Sequence, residues 1–343
     1  MPKKKILKIL EYIAFLLFGI SLLWLSFRKL DLSVVWRNIE EADYRWLFLA
    51  LIFAVLSHIT RAARWNLLIN SMGYKTRLWT TFFAVMTGYM ANTAVPRMGE
   101  FMRCGVLSKK ENIPFNSLFG SVISERLFDM LVLIVLIFLV IIFQLDLVGD
   151  FLQKIFGPVA DSIFDNKWSI LIAVAFVLLL VFLSVLFLKL YWHRIKQLSF
   201  YNKWSDFVKG LLDGIKTIKR MKQKWLFLFY TAVIWFFYAL MVYLPVHMLK
   251  DTSHLDFVDG LTILAIGSLG IVAPVPGGIG AYHFIVKAIL FELYHINANA
   301  AGSFAAILHA GQTLLNVGVG GMSYLILVLT KNQKPVNEKY REN

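Results

Sequence analysis

Residues 116–143 read NSLFGSVISERLFDMLVLIVLIFLVIIF, and this stretch decides the fold. From 130 onward it has no polar residue, and a bilayer crossing by a helix takes about 20 predominantly apolar residues. Nevertheless Glu125, Arg126 and Asp129 lie well inside its amino end. Ionisable residues within a membrane are costly and face a bundle interior or a cavity. The stretch therefore predicts a membrane-spanning helix that carries buried charges.

The whole chain has the composition of a polytopic membrane protein. Of its 343 residues 59% are hydrophobic and 16% are charged, whereas a soluble domain is about 45–50% apolar and about 25% charged. The net charge of +14 lies mainly in short segments between apolar runs, which favours orientation by the positive-inside rule over nucleic-acid binding. Cys104 is the one cysteine, so an intramolecular disulfide and cysteine metal sites are excluded. No nucleotide-binding or catalytic motif is present, and we expect no metal and no cofactor.

The apolar runs predict an all-α, polytopic membrane protein built as an inverted-repeat helical bundle. Long runs lie at 6–27, 46–59, 116–143, 169–188, 226–249 and 300–329. Shorter runs at 79–95, 260–273 and 279–294 fall below the roughly 20 residues of a comfortable crossing. We expect these to form re-entrant broken helices. The chain then crosses the membrane six times, or eight times if 260–294 spans it fully.

Charge sets the predicted orientation. Basic segments, which the positive-inside rule places in the cytoplasm, are the termini and residues 61–77, 97–111 and 189–224. The loops 144–168 and 250–259 are acidic and should face outward. Amphipathic patterns predict an interfacial helix at 31–43 and a basic helix at 201–219 on the cytoplasmic leaflet. Residues 1–330 are thus predicted to form one transmembrane domain, followed by a polar cytoplasmic tail at 331–343.

A weak internal repeat relates residues 46–143 to residues 226–329. Each copy has a helix, a short segment that ends in Val-Pro near glycines, and a long helix, in that order. The charge rule predicts that the two copies have opposite orientations. Paired broken segments in inverted repeats indicate a transport site near the bilayer midplane.

The first predicted break lies in ANTAVPRMGEFMR, residues 91–103. Its charged residues Arg97, Glu100 and Arg103 predict an anion site in which the arginines grip a phosphate and Glu100 orients one of them. The alternative is a cytoplasmic loop with solvated charges.

The charges of 116–143 and the end of the preceding apolar run supply further candidates. Glu125 and Asp129 are four residues apart and share a helix face, and Arg126 is predicted to pair with Asp129. This group either lines the cavity or forms a structural ion pair between helices. Arg61 and Arg64 are predicted to be snorkelling anchors at the end of a helix, with contact to lipid head groups as the alternative.

The second predicted break contains Pro276, Gly277, Gly278 and Gly280, whose glycines allow close approach of the backbone to a ligand. The polar residues of this copy add His283, His309 and Gln312 as candidates for substrate contact. For His309 a plain hydrogen bond between helices is the competing interpretation.

VPRMGEFMR, IPF, SERLFD and PVPGGIGAYHF together resemble the lysylphosphatidylglycerol synthase transmembrane region family, also called flippase-like. The resemblance covers nearly the whole chain. It implies movement of an aminoacylated phospholipid between leaflets, and a bacterial or archaeal inner membrane. In bifunctional members a separate cytosolic domain makes that lipid, and no stretch outside the predicted membrane segments is long enough to hold such a domain. His283 stands where members often have glutamate.

Three hypotheses follow. The first is a lipid translocase whose partners are anionic head groups of membrane lipids. The second is an accessory or scaffold subunit for a separate lipid- or glycan-modifying enzyme, docked through 201–219. The third is a membrane-embedded transferase with Glu125 or Asp129 as base, and its only support is the presence of buried carboxylates. An oligomer is compatible with all three.

Overall fold

The computed structural model describes residues 3–145, 221–272 and 275–330, with side chains from Tyr12 onward. The chain divides into two units, Met1–Val140 with Ile218–Asn343, and Ile141–Thr217. Everything below concerns the first unit, apart from the last residues of one helix. The helices predicted at 169–188 and 201–219, and the tail at 331–343, lie outside the described residues.

Within the described ranges the chain is helical and has no strand. Its α-helices, numbered here in chain order, are α1 (Lys3–Phe27), α2 (Leu32–Glu41), α3 (Tyr44–Ser71), α4 (Leu78–Ala94), α5 (Met98–Glu111), α6 (Phe115–Phe143), α7 (Lys224–Tyr243), α8 (Phe257–Val272), α9 (Ala281–Ala288) and α10 (Ala298–Leu329). Short 3₁₀ turns occupy Leu244–Met248, Lys250–Thr252 and Pro276–Gly278, and a π-helical turn occupies Ile289–Leu293.

Among the described residues, four helices are long and apolar enough to cross a membrane, namely α3, α6, α7 with the turn that follows it, and α10. The pair formed by α1 and α2, bent by 89°, is a fifth candidate. The chain is therefore an all-α, multi-pass membrane protein, as its composition predicts. The total number of crossings, the inverted repeat, the re-entrant segments and the orientation stay predictions.

Local signals explain where several helices begin. Asp31 precedes α2 and accepts a hydrogen bond from the backbone N–H of Ser33 at 2.9 Å. Asp43 accepts one from the N–H of Arg45 at 3.1 Å at the start of α3. Both satisfy donors that the first turn of a helix leaves free, so the short links before α2 and α3 each end in an aspartate cap.

Two basic segments are more helical than predicted. The prediction ended the second helix at about 59, whereas α3 continues to Ser71. It gave no helix for the basic segment 97–111, with a solvated loop as the alternative for 97–103, whereas Met98–Glu111 is helical. The physical reason is the same in both cases. Charged residues interrupt an apolar run in the sequence, but a helix continues where those charges find partners inside the bundle.

The first break joins α4 and α5 in a tight turn. Arg97 lies between them with a φ of 62°, in the left-handed region. The N–H of Gly99 donates to Oδ1 of Asn92 at 2.7 Å. Gly88 and Gly99 bring the two helix backbones so close that a Cβ on either glycine would collide with the backbone carbonyl of the other. These contacts hold α5 against α4.

The second break lies against the end of α4. Gly277, Gly278 and Gly280 all have positive φ angles. A Cβ added at Gly277 would lie 3.4 Å from the Cα of Thr93, close to the end of α4. Gly277 is therefore next to the last turn of the helix that leads into the first break.

Candidate functional site

The centre of the candidate site is Glu125 on α6, whose side chain is fully buried. One carboxylate oxygen lies 3.4 Å from Nε of Arg61 and 3.3 Å from a terminal nitrogen of Arg64. The other lies 3.3 Å from a terminal nitrogen of Arg103. Glu125 therefore joins α3, α5 and α6 through three arginines.

Asp129, one turn further along α6, closes the network. It is ion-paired with Arg61, and its second oxygen lies 2.7 Å from Arg64. Arg61 also donates to the hydroxyl of Tyr89 at 2.9 Å, and Arg64 donates to Thr231 at 3.1 Å. Because Thr231 lies on α7 and Tyr89 on α4, the network ties five helices together. We call the set Arg61, Arg64, Arg103, Glu125 and Asp129 the charge cluster.

Helical spacing brings these groups together. Arg61 and Arg64 are three apart on α3, while Glu125 and Asp129 are four apart on α6, so each pair shares a face. At about 1.5 Å per residue, Glu125 lies roughly 15 Å from the start of α6 at Phe115. The charge cluster therefore lies several turns inside the amino-terminal half of a spanning helix, where charges must be paired or face a cavity.

A small cleft opens beside the charge cluster. It is lined by the α4 residues Val85, Gly88, Tyr89 and Asn92, by Gly99 and Arg103 of α5, and by Arg126 of α6. Arg126 forms an ion pair with Glu100 at 3.3 Å, and both side chains are partly exposed. The free space of the cleft, about 10 Å³, holds no more than one water molecule, so a larger polar ligand would have to widen the cleft to contact the guanidinium groups of Arg103 and Arg126.

The charge cluster has one positive charge in excess. Its three arginines against two carboxylates give 3 − 2 = +1, and the neighbouring Arg126–Glu100 pair adds no net charge. Arg103 is 2% exposed, and its Nε and one terminal nitrogen have no hydrogen-bond partner. Its guanidinium also lies over the ring of Trp65, 4.8 Å from the centroid. The excess charge is thus associated with Arg103, which has buried donors without a partner and is one of the residues that line the cleft.

Three sequence-based interpretations need correction. The predicted Arg126–Asp129 pair was wrong, because Arg126 pairs with Glu100 and Asp129 faces α3. Arg61 and Arg64 are buried at 3% and 0% exposure rather than snorkelling anchors. Glu100 orients neither Arg97 nor Arg103. Arg97 is exposed and forms no ion pair within the described residues.

The second break forms a separate polar group. Nε2 of His309 lies 2.9 Å from the carbonyl oxygen of Gly277. The rings of His283 and His309 are 4.7 Å apart, and the N–H of Gly280 lies 3.4 Å from Nδ1 of His283. His309 is therefore hydrogen-bonded, as its competing interpretation predicted, but to the backbone of the break and not to a neighbouring α-helix. Pro276 and Gly278 are buried and Gln312 is partly buried; their contact with substrate stays a prediction.

Comparison with known proteins identifies the family. The family model described as "lysylphosphatidylglycerol synthase TM region" matches residues 12–320 of the chain. The chain belongs to this family. The matched residues of this lysylphosphatidylglycerol synthase TM region protein begin within α1 and end within α10. No solved structure matches it.

The family assignment is supported by archaeal relatives. A UPF0104 membrane protein of Methanocaldococcus jannaschii is 32% identical over 38% of this chain and 38% of its own length. Glycosyltransferase AglD of Haloferax volcanii is 24% identical over 96% of this chain but only 56% of its own length. A UPF0104 membrane protein of Pyrococcus horikoshii is 22% identical over 75% of this chain and 82% of its own. The chain thus matches well under two thirds of the first two relatives.

The sequence analysis did not identify the uncharged residues of the candidate site. Tyr89, Asn92, Trp65 and Thr231 all contact the arginines or the break. One signal was available, because Tyr89 and Asn92 are three apart on the helix that leads into the break. Thr231 has no such signal, since it is one small polar residue within an apolar run.

Proposed function

We propose that the protein is a membrane lipid translocase that moves an anionic or aminoacylated phospholipid, or a related lipid, between leaflets. The observation that carries this proposal is the buried charge cluster with a net charge of +1, in the amino-terminal half of α6 and beside a cleft at a helix break. The absence of a nucleotide-binding motif from the sequence makes the movement downhill or ion-coupled.

The charge balance supports an anionic substrate. An unpaired charge in a low-dielectric interior costs several kcal/mol, so the charge cluster is most stable with an anion bound. A lipid phosphodiester has one negative charge, which matches the excess. Arginine donates two parallel hydrogen bonds to phosphate oxygens, and Arg103 has free donors beside the cleft.

The breaks support movement. Irregular backbone at membrane depth is tolerated where protein or a water-filled cavity surrounds it, and paired breaks in inverted repeats accompany midplane transport sites. In this chain the break between α4 and α5 borders the cleft, and Gly277 of the other break lies against Thr93. Under this proposal residues 46–143 and 226–329 are the two inverted copies, and the glycine-rich link is the hinge.

Arg103→Gln tests the proposal. The change brings the charge cluster from +1 to 0 and removes the free donors at the cleft. We expect translocation of fluorescent phosphatidylglycerol across reconstituted vesicles to fall at least tenfold, which corresponds to about 1.4 kcal/mol. The protein should remain folded, because Glu125 keeps Arg61 and Arg64.

Arg45→Gln is the matched control, because Arg45 is 90% exposed and pairs with Asp43 at the end of the bundle. It should translocate like the wild type. If wild type and Arg103→Gln translocate phosphatidylglycerol at the same rate as protein-free vesicles, the translocase is rejected. If all variants are equally active, translocation stands and the site is wrong.

The second candidate is an accessory subunit for a lipid- or glycan-modifying enzyme. The observation that favours it is the match of nearly the whole chain to 56% of a protein named glycosyltransferase AglD. The partial match fits a protein in which a membrane region related to this chain is joined to a further region that holds the enzymatic activity. Mass spectrometry of lipids from cells with and without the protein separates the two candidates. Loss of a modified lipid supports the accessory role, and unchanged lipids with an altered leaflet distribution support the translocase.

A further inference from the structure

A second, apolar cavity of about 280 Å³ lies between α6, α7 and α8. It is lined only by hydrophobic residues, Val132, Val135, Leu136 and Leu139 of α6, Trp235, Phe236 and Ala239 of α7, and Phe257 and Leu261 of α8. The space is open on one side, because Val135 and Phe236 in its lining remain 56% and 54% exposed. An open apolar space of this size can hold part of a hydrocarbon chain.

On two of these helices, the residues that line the cavity begin about one turn after a residue that belongs to the charge cluster or is hydrogen-bonded to it. On α6, Val132 follows Asp129 by three residues, and on α7, Trp235 follows Thr231 by four. The helices run in the same direction, because Phe128 contacts Phe227 with ring centroids 5.2 Å apart before the cluster, and 132–139 faces 235–239 beyond it. On each helix, therefore, a polar residue at the charge cluster is followed one turn later by residues that line the cavity.

Trp235 provides a polar group at the junction. Its indole Nε1 is buried and has no hydrogen-bond partner, and a buried donor left without an acceptor costs about 1–3 kcal/mol. Among the residues that line the cavity on α7, Trp235 is the one closest in sequence to Thr231 and so to the charge cluster. An acceptor oxygen placed between the cluster and the cavity would satisfy it.

We infer that this cavity, here called the chain groove, holds a hydrocarbon chain of the lipid whose phosphate binds at Arg103, with an ester or ether oxygen of its backbone accepting from Trp235. The inference rests on the proposed function and adds the position of the hydrocarbon chain of the substrate. The order phosphate, linkage oxygen and chain in a phospholipid matches the order charge cluster, Trp235 and chain groove along α6 and α7.

This arrangement assigns a leaflet. From Val132 to Leu139 the groove extends about 10 Å at 1.5 Å per residue, in the direction of the carboxyl end of α6. The charge distribution predicts that the amino end of α6 is cytoplasmic. A lipid with its phosphate at the charge cluster and its chain in the groove then has the polarity of a cytoplasmic-leaflet lipid. The structure would be the state that accepts lipid from that leaflet.

The test uses the full-length protein in vesicles that contain phosphatidylglycerol with a diazirine at the end of one chain. After illumination, mass spectrometry maps the labelled peptides. We expect label concentrated on the groove segments of α6, α7 and α8. Leu136→Trp fills the groove and should lower that label at least fivefold. Phe138→Trp on the same helix, at a side chain that is 67% exposed and outside the groove, should leave it unchanged.

Two further arms test the coupling between head and chain. Trp235→Phe keeps the ring but removes the N–H, and should lower groove labelling about three- to tenfold. A diacylglycerol carrying the same diazirine lacks the phosphate and should label the groove far less than phosphatidylglycerol. Equal labelling by both lipids, label spread evenly over lipid-facing residues such as Phe138, or labelling that Leu136→Trp leaves intact would each overturn the inference.

The outcomes separate the chain groove from the translocase. Groove labelling that depends on Leu136 and on the phosphate, with no translocation by the wild type, supports the groove and rejects translocation. Translocation that Leu136→Trp leaves unchanged, with label outside the groove, supports the translocase and rejects the groove.

Discussion

Replacing Glu125 with glutamine is expected to destabilise the protein by about 3–5 kcal/mol, the cost of breaking a buried ion pair. Glutamine has nearly the same shape, so packing is conserved and the change isolates charge. It removes the acceptor that Arg61, Arg64 and Arg103 share and raises the net charge of the cluster from +1 to +2. The free energy of unfolding in mixed micelles, from a denaturing-detergent titration, measures the effect.

The matched control is Glu40→Gln. Glu40 is exposed on α2 and accepts a hydrogen bond from Trp36. Surface substitutions of this kind usually change stability by about 0.5 kcal/mol or less. Equal effects of the two substitutions would show that the charge cluster is solvated and that the buried network is wrong.

The sign of the excess charge can be tested with a second substitution. In the double variant Glu125→Gln, Arg64→Met the balance returns to 2 − 1 = +1, so we expect it to be more stable than Glu125→Gln alone. Arg103→Gln, which lowers the charge to 0, should cost far less stability than Glu125→Gln although both lie in the same network. Arginine removal and carboxylate removal with equal costs would contradict a net positive cluster.

Much of the fold followed from the sequence because hydropathy reports burial in lipid directly. The run 116–143 corresponds to α6, and 300–329 corresponds to α10 with small shifts at the ends. The predicted helix ends were wrong where charged residues lie within a helix. Arg61 was predicted to be a snorkelling anchor at the end of its helix because an isolated arginine in lipid is costly, and its carboxylate partners lie more than 60 residues away in the sequence.

For the candidate site, residue types were predictable and partners were not. The charged residues of 97–103 and 116–143 were identified from their unfavourable location alone. Which carboxylate meets which arginine depends on how α3, α5 and α6 pack, and helical spacing within one helix does not specify that. The Arg126–Asp129 error is of this kind, because a spacing of three allows a pair within α6 while packing offers each residue a partner on another helix.

Replacing Gly280 with alanine is the second large expected effect. Gly280 is buried at the second break with a φ of 83°, and positive φ costs an L-residue about 1–2 kcal/mol. A Cβ there would also collide with the backbone carbonyl of Gly19 on α1, and overpacking of this kind typically costs about 1–3 kcal/mol. Together these terms predict a loss of about 2–5 kcal/mol, measured by the same titration.

Gly73→Ala separates the two contributions to the Gly280 effect. Gly73 has a φ of 85°, nearly that of Gly280, but a Cβ there would meet nothing within 4 Å. The control therefore keeps the backbone strain and removes the collision, so we expect it to cost only about 1–2 kcal/mol. The difference between the two variants measures how tightly α1 rests on the break. If the two losses are the same, α1 gives way without cost, and the contact between Gly19 and Gly280 does not hold the break in place.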